Sequence, residues 1–262
     1  MDNLVDIGLN LMHSSFKKDR VEIIDEAKKV GVKQFIITGT NLNSSQLAAE
    51  YASKYPETLY STSGVHPHDA KTCNGHTIFE LEKIAENDCV VAIGECGLDY
   101  NRNFSPPNIQ RKWFEAQVEL AERINMPLFL HEREAHEDLY NILKRHDNVL
   151  EKSVVHCFTG TKSEAENYID LGCYIGVTGW ICDMKRGRSL QEAVSAIPPE
   201  KLMIETDAPF LIPKNFDNKP KKNRNEPKYL PHILKTIALC MGIDAEDLAV
   251  QVTKNTKKFF KI

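Results

Sequence analysis

Five apolar runs in this 262-residue chain end on ionisable side chains: Val65-His66-Pro67-His68, Ile93-Gly94-Glu95, Leu130-His131, Val155-His156 and Ile204-Glu205-Thr206-Asp207. Imidazoles and carboxylates delivered from separate strands form a mixed nitrogen and oxygen set. Such a set suits a Zn2+-like or Mn2+-like ion with positions left open for water. Glu95 and Asp207 follow runs apolar enough to be buried, where an unpaired carboxylate is costly unless a cation or hydrogen bonds compensate. Taken singly, a histidine at a strand end is more often a hydrogen-bonded structural residue than a ligand. It is the recurrence at five strand ends that points to a metal. His13, His76, His136, His146 and His232 fall in predicted loops or helices and read as solvated or structural.

These groups need a scaffold that brings strand ends together. Short apolar runs at Leu4–Gly8, Gln34–Thr38, Leu59–Val65, Cys89–Gly94, Pro127–Leu130, Ser153–His156, Tyr174–Val177 and Leu202–Ile204 are each followed by a segment with helical spacing, the last of them covering Leu230–Met241. Alternation of this kind marks βαβ units and a parallel sheet. An open doubly wound sheet uses the same alternation. Eight units is the barrel number, however, and no G-x-G-x-x-G follows the first strand. The expected fold is therefore an α/β chain forming a single (β/α)8 TIM-type barrel domain over residues 1–262, with reactive groups at the carboxyl ends of the strands.

Composition narrows the function classes. With 42% apolar and 27% charged residues, the chain is ordinary for a globular protein. No apolar run approaches the ~18 residues of a membrane span, and the start Met1-Asp2-Asn3-Leu4-Val5-Asp6 lacks a basic region followed by an apolar stretch. Seven cysteines without a C-x-x-C pair argue against a disulfide framework and fit a reducing cytoplasm, or a nucleus in a eukaryotic source. No membrane and no obligate protein partner are expected. The net charge of −4 rules out a uniformly basic nucleic-acid coat, so a polyanion would need a local site.

The same residues carry a family resemblance. The runs Ile37-Thr38-Gly39-Thr40-Asn41, Gly64-Val65-His66-Pro67-His68, Ala92-Ile93-Gly94-Glu95-Cys96-Gly97-Leu98-Asp99-Tyr100, His156-Cys157-Phe158-Thr159-Gly160 and Ile204-Glu205-Thr206-Asp207-Ala208-Pro209 resemble the TatD family of deoxyribonucleases, in order and without a large insertion, from Asp6 to Arg224-Asn225-Glu226-Pro227. The resemblance implies a barrel of the metallo-dependent hydrolase type. Its activity would be a metal-dependent 3′-to-5′ exonuclease acting on DNA, preferring single-stranded ends, with a role in DNA repair or degradation. Carried over by position, Glu95, His131, His156 and Asp207 are the metal ligands, and Glu95 bridges if two ions are present. His66 lies beside the metal, facing the scissile phosphate or the second ion, and Asp207 accepts a proton from the attacking water.

One departure bears on the cofactor. Much of the wider family begins with D-x-H-x-H, whose histidines hold one ion, whereas this chain has Asp6-Ile7-Gly8-Leu9-Asn10 and resembles the branch for which the family is named. One tight site for Mg2+, Mn2+ or Zn2+ is expected. A second ion would rest on a carboxylate-rich set with Glu95, Asp207 and Asp6, which suits Mg2+ or Mn2+ better than Zn2+.

A divalent ion polarises a phosphoryl oxygen and lowers the pKa of bound water from 15.7 towards about 7. The loops on the same rim are basic. Lys214–Lys228 carries six basic residues against two acidic ones, and Asp183–Arg188 carries three against one. Lys221, Lys222 and Arg224, together with Arg133, are the candidate phosphate contacts, and Trp180 and Tyr100 are candidate stacking surfaces. Two other readings compete: a small-molecule amidohydrolase or lactonase using the same ligands, and a binding protein whose altered first strand marks lost activity. Basic rim loops favour the nuclease over the first, and the four retained ligand positions oppose the second.

Overall fold

The computed structural model describes residues 1–262 except Lys219, Lys221 and Lys222. Its eight strands are β1 (Leu4–Leu9), β2 (Val32–Ile37), β3 (Leu59–Ser63), β4 (Val90–Asp99), β5 (Leu128–Arg133), β6 (Ser153–His156), β7 (Tyr174–Val177) and β8 (Leu202–Ile204). They follow one another in a single sheet in sequence order. A helix follows every strand: α1 (Arg20–Lys29), α2 (Leu42–Ala52), α3 (Thr77–Ala85), α4 (Pro107–Ile124), α5 (His136–Leu143), α6 (Lys162–Asp170), α7 (Arg188–Val194) and α8 (Leu230–Met241), with α9 (Ala245–Phe260) added after α8. Sequential order with one helix per strand is the (β/α)8 topology, since a doubly wound sheet reverses its order at a switch point. No helix among the described residues is long and apolar enough to cross a membrane.

The backbone divides into two compact units, one made of Met1–Ile36, Cys157–Glu166 and Ile175–Ile262, the other of Ile37–His156 and Asn167–Tyr174. In the first, Leu9 bridges Ala208 in parallel, and Asp207 N–H donates to Gly8 carbonyl at 2.8 Å, so the first and last strands of the chain are neighbours. The α9 helix belongs to this unit and lies beyond the last helix expected from sequence. Asp244 caps its first turn, and Leu248, Val252 and Phe259 form its buried stripe. From that stripe Asn255 reaches the carbonyls of Pro199 and Leu202 at 2.7 and 2.8 Å.

In the second unit β3, β4, β5 and β6 run parallel in register, His131 opposite His156 and Asp99 opposite Arg133. Both central strands outrun their predicted ends: β4 continues from Gly94 to Asp99 and β5 from Leu130 to Arg133. The β4 register shifts between Gly94 and Cys96. A bulge of this kind re-aims a side chain, and the residue re-aimed here is Glu95. Gly97 has φ +145°, and a Cβ there would meet the His131 carbonyl oxygen at 1.9 Å, so the close approach of β4 to β5 depends on glycine.

Candidate active site

Glu95 is 6% exposed and its N–H donates to the Gly39 carbonyl at 2.7 Å. Three imidazoles converge on its Oε1: His156 Nε2 at 2.8 Å, His131 Nδ1 at 2.9 Å and His66 Nε2 at 3.3 Å. His66 Nε2 also lies 3.2 Å from His131 Nδ1. The His156 ring is stacked on Phe129 with centroids 4.4 Å apart, which fixes its plane. One ligand atom each from His66, Glu95 and His131 fall within 4.8 Å of one another. Among the described residues, the side chains that meet Glu95 Oε1 are these imidazoles.

Burial by itself would raise the Glu95 pKa. The charges of His156 and His66 and the hydrogen bonds from His131 and His156 outweigh it, and the carboxyl is held well below its usual range. Burial is the main force on His66, pulling it down to about 4, with His131 and His68 adding to the fall and Glu95 opposing it. Burial thus favours the neutral form of His66. A carboxylate oxygen beside several imidazole nitrogens is the donor set that a divalent ion of the Zn2+ or Mn2+ kind takes. These residues fit a metal.

Around Glu95 and His131 stand residues not among the candidates drawn from sequence. His131 Nε2 faces Asp99 Oδ2 at 3.3 Å, and the same oxygen is 2.8 Å from His68 Nε2. Asp99 Oδ1 accepts the Arg102 N–H at 2.7 Å, and the residue is 1% exposed. Burial would raise its pKa, but the bonds from His131, His68 and Arg102 hold it far below the usual carboxylate range. His131 shows the reverse balance: burial lowers it, and the bonds to Asp99 and Glu95 leave it raised.

Two buried glutamines on one face of α4 aim this arrangement. Gln117 accepts the Val65 N–H at 2.7 Å and donates to the Val65 carbonyl at 3.1 Å, pinning the residue before His66. Gln110, seven positions earlier, accepts the Asp99 N–H at 2.8 Å and donates to the carbonyls of Asp99 and Ser105 at 3.0 and 2.8 Å. Their i, i+7 spacing inside an apolar helix stripe puts both amides on the buried face, but spacing alone does not say what they bind.

The remaining candidates lie as follows. Asp207, after β8 in the first unit, has φ +53°, a left-handed backbone uncommon outside glycine, and its Oδ1 accepts the Asn10 amide at 2.8 Å. Asp6 is wholly buried and accepts from Thr206 N and Oγ1 at 2.9 and 2.5 Å, so it ties β1 to the segment after β8. Glu205 accepts the N–H of Cys157, the residue after His156, at 2.5 Å. Arg133 is half-buried at the end of β5, and among the described residues its guanidinium makes no ion pair. Lys221 and Lys222 lie outside the described residues. Arg224 is not a loose cation: it pairs with Asp19 at 2.8 Å and Glu226 at 2.5 Å, and its guanidinium covers Phe16 at 4.7 Å. Lys214 and Arg186 are likewise engaged, both at 2.8 Å from Asp183. Tyr100 donates to Asp138 at 2.6 Å, and Trp180 lies under Arg186 at 4.7 Å.

Eight sequential β/α units, with Glu95, His131 and His156 on β4, β5 and β6, make this a (β/α)8 barrel with a Glu and His group on its strands. The chain belongs to the TatD-related DNase family, whose model matches residues 5–261. It is 47% identical over 259 residues to the 3′-5′ ssDNA/RNA exonuclease TatD of Erwinia tasmaniensis, covering 99% of this chain and 100% of that one. With the protein of the same name from Escherichia fergusonii the identity is 48%, covering 99% of each. Among solved structures, the TatD homologue YjjV of Escherichia coli superposes with a TM-score of 0.90 at 27% identity over 99% of this chain and 98% of that one. A TatD family hydrolase of Entamoeba histolytica gives 0.88 at 28% identity, with the same coverages.

Proposed function

We propose that this protein is a divalent-metal-dependent 3′-to-5′ exonuclease that hydrolyses phosphodiester bonds of single-stranded DNA, serving DNA degradation or repair. The observation that carries the reading is the convergence of His66, His131 and His156 on one buried oxygen of Glu95, in a chain nearly half identical along its length to named exonucleases.

Glu95, His131, His156 and Asp207 would hold the metal. When bound, a divalent ion neutralises charge on a phosphoryl oxygen and acidifies coordinated water. The chain's own groups do the rest. Glu95, held ionised, supplies negative charge without taking up a proton near neutral pH. His66, neutral, orients its ring against His131. Asp207, with one oxygen accepting from the Asn10 amide, would accept a proton from the attacking water. Arg133 offers a guanidinium that a phosphate oxygen can share.

The test is addition of Mg2+, Mn2+ or Zn2+ separately to metal-stripped protein with a single-stranded oligonucleotide. Cleavage restored by at least one ion supports the reading. Cleavage that persists in chelator, or none with any ion, overturns it.

A further inference from the structure

Beyond the metal-ligating residues, the loop between β4 and α4 holds an aromatic ring outward beside the metal-binding histidines. Phe104 is 55% exposed, whereas Phe16, Phe35, Phe114, Phe129 and Phe158 are fully buried. Exposing a phenyl ring sacrifices the stabilisation that burial would give, so a fixed exposed ring invites a partner. The ring is fixed from both sides. Before it, the Arg102 N–H is held by Asp99, and Asn103, at φ +50°, donates its amide to the Tyr100 carbonyl at 2.5 Å. After it, Ser105 is wholly buried, with its hydroxyl accepting the Lys71 N–H at 3.0 Å and donating to the His68 carbonyl at 2.8 Å. One contact of the ring is accounted for: it meets His68 at 4.7 Å with planes 73° apart. His68 in turn is 4.2 Å from the His66 ring and bonded to Asp99. The open ring is thus two side chains from the nitrogen facing Glu95.

We infer that Phe104 is a stacking platform for an unpaired nucleobase near the 3′ end of the strand, an inference that rests on the exonuclease reading above. Only a base freed from its partner can lay its face on the ring. The platform therefore selects single strands. Stacking takes no account of a 2′-hydroxyl, so the same surface serves DNA and RNA ends alike. An aliphatic side chain would leave the loop intact but lose the stacking face, which separates this role from simple packing.

The experiment compares wild type, Phe104→Ala, Phe104→Tyr and, as a control at another exposed ring on α3, Phe79→Ala. Each is bound in chelator to a labelled single strand and to the same strand with abasic 3′-terminal nucleotides, followed by anisotropy. Phe104→Ala is expected to weaken binding of the intact strand about 5- to 150-fold. Phe104→Tyr and Phe79→Ala stay close to wild type. The abasic strand binds wild type as weakly as the intact strand binds Phe104→Ala, and the substitution costs nothing further on it. The inference is overturned if Phe104→Ala binds the intact strand normally, or weakens both strands equally. Metal-restored cleavage by wild type, measured alongside, decides the exonuclease reading separately from the platform.

Discussion

Asp99 Oδ2 lies 3.3 Å from His131 Nε2, on the far side of the ring from the nitrogen that faces Glu95. A carboxylate on one imidazole nitrogen directs the N–H to itself and the lone pair of the other nitrogen towards the metal position. The Asp99→Asn substitution keeps the shape and removes the charge. Metal affinity measured by calorimetry should then fall about 10- to 100-fold, while melting of the metal-free protein stays cooperative. Unchanged affinity would reduce Asp99 to a loop anchor for Arg102.

The first strand offers few free donors to a second ion. Gly8 has no side chain, and the Asn10 amide is spent on Asp207. Asp6 is spent on Thr206. Calorimetry on DNA-free protein should show about one strong divalent site, and a non-cleavable oligonucleotide should reveal a second under two-metal catalysis, because substrate oxygens supply missing ligands. Two tight sites without nucleic acid would contradict this reading of β1.

Arg133 is the guanidinium nearest in sequence to a metal-binding histidine, two positions after His131. Arg133→Ala should raise KM for the oligonucleotide and flatten its salt dependence by about 0.7 of a log unit per log unit of salt for one lost phosphate contact on single strands. Metal affinity should not change. An unaltered salt slope would remove Arg133 from the substrate path.

Arg224 is held by ion pairs within the fold. Its pairs with Asp19 and Glu226 are only 14% and 17% exposed at Arg224 and Asp19 and 4% at Glu226. Arg224→Ala takes the guanidinium from Asp19 and leaves Glu226 with Lys228 as its cation, and should lower the unfolding free energy, read from denaturant melts. Burial would raise the Glu226 pKa, but the bonds from Lys228 and Arg224 leave it lowered. A lowered carboxyl pKa stabilises the fold fully above the usual value near 4.5 and loses that contribution as pH falls through the lower one. The difference in Tm between wild type and Glu226→Gln should therefore be widest near neutral pH and close on acidification. A difference that grows towards acid would reverse the assignment.

The strands β6, β7 and β8 were legible residue for residue, because each is a short, largely apolar run between polar helical segments. The ends of β4 and β5 were not. The bulge at Glu95 breaks the period-2 alternation, and inward-facing polar groups such as His131 and Asp99 read as loop when their partners lie 32 residues apart. Glu95 and the histidines at strand ends announced themselves by type and position. Asp99, His68, Gln110 and Gln117 did not, since their roles exist only once α4 is packed on β4 and the segment after β3. The ion pairs of Arg224 were not legible, because a run of basic residues gives no sign of Asp19, 205 positions away.

The central claim is that Glu95 gathers a metal that cleaves nucleic acid from its 3′ end. Metal-restored wild type and Glu95→Gln should be given single strands labelled at the 5′ end, with the 3′ terminus either free or blocked, and the products resolved at single-nucleotide length over time. Wild type should shorten the free strand one nucleotide at a time and leave the blocked strand intact, and Glu95→Gln should leave both intact while melting cooperatively. Cleavage by Glu95→Gln near the wild-type rate, or equal cutting of free and blocked strands, would contradict the account.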